Sequence, residues 1–166
     1  MGLILGDKVP YLMKGKPTIS DKYDVSPATI ASTSAVGHPG DIVKFDGKGF
    51  FEVVDSTHTI TKATDVAGII LAPNVKLVND FFGGVKAEAV YQTGEAFDLC
   101  FKGAIALELD SAVELTAVKQ NGTCYLTSAG KLTTTSASNI AMPWTFTGVT
   151  ETDMAGRKLA EVIICK

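Results

Sequence analysis

Two histidines and several carboxylates are the side chains that could bind a metal or transfer protons. His38 lies beside a proline and His58 in a polar segment, and neither has an acidic or cysteine partner at a local metal-ligand spacing. A set of carboxylates alternates with apolar residues along predicted strands, which is typical of solvent-facing positions. These are Glu88, Glu95, Asp98, Glu108, Asp110 and Glu114. We therefore predict no catalytic residues and no metal site.

Nucleophiles and phosphate-binding loops lack the sequence context that such chemistry needs. No serine lies in a Gly-x-Ser-x-Gly motif, and Gly47-Lys48-Gly49 is too short for a phosphate loop and is not followed by a helix pattern. The cysteines are Cys100, Cys124 and Cys165, an odd number set among apolar neighbours, which favours buried reduced thiols over disulfides or zinc. The prediction is a non-enzymatic protein with no cofactor.

The charge balance argues against direct nucleic-acid binding. The chain of 166 residues has a net charge of −3 and no run of Lys or Arg that could neutralise a line of phosphates. Its first apolar stretch is too short for a signal sequence or a membrane span, so we expect folding in the cytosol and no membrane partner. The apolar fraction of 46% against 20% charged residues favours apolar surface that a partner covers.

Residues 1–39 differ in composition from the rest. Pro10, Pro17, Pro27 and Pro39 fall here, and proline removes backbone donors, so we expect an extended Pro/Ser/Thr-rich arm. Its apolar residues are too many for a solvated linker, which suggests that they dock on a neighbouring subunit; the alternative is that they pack on the chain's own body. The candidate contacts are Leu3, Ile4, Leu5, Pro10, Tyr11, Leu12 and Met13.

From residue 40 to 166 the pattern becomes short β-rich runs separated by glycine turns. Residues 41–45 and 50–54 flank a glycine-containing turn and form the strongest hairpin signal. Further runs lie at 57–62, 67–72, 87–92, 96–102, 104–109, 123–127, 131–135, 144–149 and 159–164. This spacing predicts an all-β barrel or sandwich. At most two short helical segments fit, at 74–82 and 152–158.

Aromatic residues are the remaining candidates for contacts with a partner. Phe50 and Phe51 are adjacent, so on a strand their side chains point to opposite faces and one needs cover outside a single core. Phe81, Phe82 and Trp144 are added to the candidates because aromatic side chains on a β scaffold anchor interfaces or stack on sugars.

The order of glycine turns and strands resembles the capsid decoration or structural cement proteins of tailed bacteriophages. The resemblance is carried by Gly40-Asp41-Ile42-Val43, Ala67-Gly68-Ile69-Ile70-Leu71, the turn Ser128-Ala129-Gly130-Lys131-Leu132-Thr133, then Gly148-Val149 and the final β-branched run 159–164. It spans roughly residues 40–166. The proline-rich N-terminal segment and residues 73–84 depart from that pattern.

The resemblance implies a compact β-barrel or β-tulip-like domain, commonly a homotrimer. It implies a virion structural protein, made in the host cytoplasm, that binds the outside of the capsid where major capsid protein subunits meet. The alternative is a carbohydrate-binding or host-adhesion module on a head fibre or tail, which would need an exposed aromatic platform around Trp144. A small trimeric nucleotide hydrolase ranks last, because its acidic and phosphate-binding motifs are not in evident positions.

Overall fold

The protein is all-β, and its main sheet is strongly curled. The computed structural model describes residues 12, 14–18, 24–34, 36–72, 90–153 and 155–164. Within these residues it has strands β1 (Asp24–Thr29), β2 (Ile42–Phe45), β3 (Phe51–Val53), β4 (Val66–Ile70), β5 (Ala96–Glu108), β6 (Thr123–Leu126), β7 (Leu132–Thr133), β8 (Ile140–Thr152) and β9 (Lys158–Ile164). Single 3-10 turns occupy Ala63–Asp65 and Leu115–Ala117.

The strands follow the order β3-β2-β4-β5-β9-β8-β6-β7, with β1 paired to β5 off this path. All the strand pairs are antiparallel, as hairpin-linked strands require. Each end of the sheet curls back: Leu132 of β7 forms a parallel bridge to Leu109, and Phe51 of β3 forms one to Ile30. The curl shields both edge strands, which would otherwise offer unpaired backbone groups to another chain.

Two interiors result from this curl. The main core is lined by side chains that include Leu126, Trp144, Phe146 and Val162. A second core contains Ile30, Val43, Val53, Ile70, Phe97 and Leu99. Burial of these apolar side chains makes the largest favourable contribution to the stability of such a domain.

Strand β5 is the element that both cores share. The sequence predicts two strands here, broken near Gly103, but β5 runs unbroken from Ala96 to Glu108. Gly103 keeps the strand continuous at φ 134°, a conformation that L side chains rarely adopt. Phe97 and Leu99 on one side of Gly103 enter the second core, while Ile105 and Leu107 on the other side enter the main core.

The strand predicted over residues 57–62 is wrong. Asp55 accepts hydrogen bonds from the backbone N–H groups of Thr57 and His58, and Asp65 accepts them from Thr61 and Lys62. Side-chain oxygens that bind nearby N–H groups compete with a strand ladder, so this segment forms turns instead.

The helix allowed over residues 152–158 is not formed by the described part of that range: Thr152 ends β8, Lys158 begins β9, and a turn joins the two strands. Asp153 closes that turn by accepting hydrogen bonds from the Arg157 backbone and side chain, the latter at 2.7 Å. The other helical alternative, residues 74–82, lies outside the described residues.

Strands β4 and β5 approach each other so closely at Gly68 that no side chain fits there. A Cβ at this position would lie 2.5 Å from the Cys100 carbonyl oxygen and 2.7 Å from a Leu99 methyl. We expect Gly68→Ala to lower the free energy of unfolding by about 1–3 kcal/mol, because backbone atoms must shift to admit the methyl group. Urea denaturation measures this change.

Gly94→Ala is the matched control, since nothing lies within 4 Å of its Cβ position and only its positive φ of 79° is strained. Its cost should be about 1–2 kcal/mol, the usual strain of one left-handed residue. A Gly68→Ala protein as stable as wild type would contradict the packing described between β4 and β5.

Candidate interaction surfaces

The turn between β2 and β3 displays the two most exposed large apolar side chains among the described residues. Phe45 is 54% exposed and Phe50 is 45% exposed. They flank the turn at residues 46–49, and we call residues 45–50 the hairpin tip. Large apolar side chains brought together in water are typical of surface that a partner covers.

The turn itself is held by one carboxylate. Asp46 Oδ1 accepts hydrogen bonds from the backbone N–H of Lys48 at 2.7 Å and of Phe50 at 3.0 Å. Desolvation raises the pKa of Asp46, but these backbone hydrogen bonds and the Lys48 charge outweigh it and lower the pKa overall. The carboxylate therefore stays ionised at neutral pH and continues to brace the turn.

A chain of aromatic rings connects the hairpin tip to the second core. Ring centroids lie 5.6 Å apart between Phe45 and Phe51, 6.2 Å between Phe51 and Phe97, and 6.0 Å between Phe97 and Tyr91. Tilted and edge-to-face contacts at these distances are favourable. The tip is thus supported by buried aromatic packing at its base.

A second feature is the N-terminal segment of residues 12 and 14–18, which we call the strap. Pro17 forms an antiparallel bridge to Ile105, and the N–H groups of Gly15 and Thr18 donate to the carbonyls of Ala106 and Ala104. The strap therefore adds to the edge of β5 opposite β9. Leu12 packs with Ala106 and Leu159 and is fully buried, and its N–H donates to Glu151 at 2.8 Å.

A cluster of four charges fastens the strap beside an open cleft of about 350 Å³. Lys14 Nζ lies 2.9 Å from Asp41 and 3.4 Å from Glu108, while Lys131 Nζ lies 3.0 Å from Glu108. The Lys14 side chain is 7% exposed. A lysine this buried requires nearby carboxylates, because an unpaired charge away from water is costly.

The sequence suggests that Glu108 faces solvent, but its carboxylate is partly buried and pairs with Lys14 and Lys131. Burial raises the pKa of its carboxyl, but the hydrogen bond from Lys131 and the charges of Lys131 and Lys14 outweigh burial and lower it overall. Glu114, in contrast, is 80% exposed, as the alternation predicts.

The histidines lie next to carboxylates without forming a metal site. His38 Nδ1 is 3.4 Å from Asp41, and His58 lies 3.4 Å from Asp55 and 3.9 Å from Glu52. Within the described residues, no group of three or more His, Cys, Asp or Glu side chains is arranged to hold a metal ion. The same residues contain no helix that is both long and apolar enough to cross a membrane.

Two of the three cysteines are buried free thiols. Cys100 and Cys124 are fully enclosed, and burial raises the pKa of Cys124 to about 12. Burial also raises the pKa of Cys100. Both thiols stay protonated at neutral pH and are poor nucleophiles. Cys165 lies outside the described residues.

Comparison with known proteins places this geometry in a family. Residues 6–164 match the family model described as structural cement protein (E217 gp24/Pam3 gp6). The chain belongs to the phage structural cement protein family. No curated protein matches the chain.

A solved structure shares the fold. It is a chain from the capsid of Myoviridae phage XM1, with 19% sequence identity and a TM-score of 0.67, and the match covers 100% of this chain and 98% of that one. The neighbour supports the all-β fold, and the family supports the structural role that the sequence predicts.

The described candidate contacts of this cement protein are found in different environments. Phe50 is exposed at the hairpin tip, while Phe51 is half-buried against the second core. Leu12 is buried in its own chain, and Trp144 is 6% exposed inside the main core. Trp144 therefore provides no exposed platform for a sugar. The remaining candidates lie outside the described residues: Leu3, Ile4, Leu5, Pro10, Tyr11, Met13, Phe81 and Phe82.

Sequence reasoning missed Phe45 and Lys14. Phe45 directly precedes the turn residues Asp46-Gly47, which is the one local signal that places it near the surface. Lys14 carried no signal, because its carboxylate partners lie 27 and 94 positions away in the sequence.

Acid should weaken the charge cluster. A carboxyl whose pKa is lowered by folding stabilises the native state above its unfolded pKa, and that contribution is lost as pH falls through the folded pKa. For Glu108 we expect the loss below about pH 4.3, the unfolded value. Glu108→Gln should cost about 1–2 kcal/mol at pH 7 and flatten the pH dependence. Urea denaturation between pH 3 and pH 7 measures both effects.

Glu114→Gln is the matched control, since this exposed carboxylate lies 3.9 Å from its lysine and should leave stability unchanged. An equal effect of both variants would show that the buried cluster has no special role.

Leu12→Ala tests the docking of the strap. Removing a fully buried side chain from between Ala106 and Leu159 should cost about 2 kcal/mol or more of local stability. Hydrogen exchange at the Gly15 and Thr18 amides of the strap, which hydrogen bonds to β5 protect, should then accelerate roughly thirtyfold.

Val149→Ala, at a residue 38% exposed, should leave those exchange rates unchanged. Unchanged exchange in Leu12→Ala would mean that Leu12 does not hold the strap.

Proposed function

We propose that this cement protein binds the outer surface of an assembled phage capsid and stabilises the contacts between major capsid protein subunits. The observation that supports this proposal is membership of the structural cement family over residues 6–164. The described features agree with a binding role: rigid β packing, buried thiols that are poor nucleophiles, and an exposed aromatic tip.

Stabilisation follows from linkage. A protein that binds only the assembled shell shifts the equilibrium away from dissociated subunits, by about 2.7 kcal/mol per site when its free concentration is a hundredfold above Kd. Contacts at many sites multiply the effect, because each shell presents the same epitope repeatedly.

Self-association into a trimer, which the resemblance implies, is part of the proposal. Three linked copies would turn weak contacts with the capsid into high avidity. Sedimentation velocity of the purified protein should give a species with three times the mass of one chain, 17.4 kDa. A species of one chain at all concentrations would exclude the trimer without affecting capsid binding.

Co-sedimentation tests the binding itself. Empty capsids assembled from the major capsid protein of the same phage should retain the cement protein at a fixed copy number per capsomer. Unassembled capsid protein subunits serve as the control and should retain little of it. Calorimetry should show decorated capsids disrupting at a higher temperature than undecorated ones.

Equal binding to unassembled subunits, or an unchanged disruption temperature at full occupancy, would contradict a cementing role.

A further inference from the structure

The hairpin tip is more exposed than the stability of the isolated domain requires. Phe45 and Phe50 leave about half of each side chain in water, whereas Phe97 and Phe146 of the same chain are buried. Aromatic side chains in contact with water contribute little to folding, yet they dominate the energy of interfaces that bury them.

The hairpin tip is also built to hold its shape. Asp46 fixes both ends of the turn through the N–H groups of Lys48 and Phe50, and the Phe45 ring rests on Phe51. A preorganised contact surface loses less conformational entropy when it binds. A rigid aromatic projection of this kind fits an apolar pocket on a protein surface.

The exposed area of the hairpin tip favours one of two possible partners, the capsid shell, over a second copy of this chain. With exposures of 54% and 45%, the two rings offer about 200 Å² in total, taking about 200 Å² for a whole phenylalanine side chain. A stable dimer buries about 800 Å² on each partner. Two tips pressed together would therefore not hold two copies, whereas repeated small contacts on a shell gain strength from avidity.

We propose that the hairpin tip inserts Phe45 and Phe50 into an apolar pocket on the outer face of the assembled capsid and is the main affinity anchor of the cement protein. This inference rests on the capsid binding proposed above and names the element that performs it. The partner surface is a pocket lined by apolar side chains and deep enough for a phenyl ring.

The test compares two double variants that remove similar exposed apolar groups. Phe45→Ser with Phe50→Ser should weaken binding to empty capsids at least tenfold, because both anchoring rings are lost. Val25→Ser with Val149→Ser, at residues 44% and 38% exposed, should bind like wild type. Biolayer interferometry on immobilised capsids measures the affinities, and circular dichroism confirms that each variant folds.

Two single variants keep the test decisive if the double variant fails to fold. Phe50→Ser leaves the Phe45–Phe51 contact in place and should weaken binding severalfold. Asp46→Ala removes the carboxylate that braces the turn without touching either ring, and should weaken binding by a smaller factor.

The outcomes separate this inference from the proposed function. If wild type binds capsids and the tip variants bind equally well, the tip is not the anchor, although capsid binding stands. An equal loss in the valine control would likewise overturn the inference. If sedimentation shows that the tip variants change self-association while capsid affinity is retained, the tip is a contact between copies. Wild type that does not bind capsids would overturn both proposals.

Discussion

The structure depends on one strand that two cores share. Strand β5 pairs with β1 and β4 along its first half, and with β9 and the strap along its second half. Before Gly103, Phe97 and Leu99 enter the second core and Cys100 enters the main core; after it, Ile105 and Leu107 enter the main core. Because the backbone of β5 has partners on both edges, neither core can move without disturbing the other. The domain is thus a stiff body from which surface features project at fixed positions.

The hairpin tip and the strap are attached to that stiff body by different kinds of interaction. The hairpin tip is braced by aromatic packing that reaches the second core at Phe97, itself a β5 residue. The strap is held by backbone hydrogen bonds to β5 and by Lys14, whose charge is balanced by Asp41 and Glu108. Apolar packing depends little on pH, whereas the charge cluster needs ionised carboxylates. Asp46 in the hairpin tip is also an ionised carboxylate, so acid weakens a polar contact in both features.

Much of the fold was predictable from local patterns. The hairpin 41–54, the strand near 123–127 and the final strand all follow from alternation and glycine turns, because those signals are local. The continuity of β5 through Gly103 was not predictable, because a glycine in the sequence is compatible both with the end of a strand and with a bend inside a continuous strand. The turns at 57–62 were missed because Asp55 and Asp65 act through side-chain hydrogen bonds that alternation does not register. The exposure of Phe50 agrees with its predicted position beside Phe51, while its role as a contact stays a prediction. The Lys14 cluster and the burial of Trp144 depend on partners distant in sequence, which a single chain does not reveal.

A cryo-EM reconstruction of empty capsids saturated with this cement protein tests the cementing role at the level of residues. We expect density for the β domain on the outer surface, across junctions between major capsid protein subunits, with Phe45 and Phe50 buried in an apolar pocket of the shell. Density on the inner surface, or on a single capsid subunit away from any junction, would contradict the cementing role that we propose.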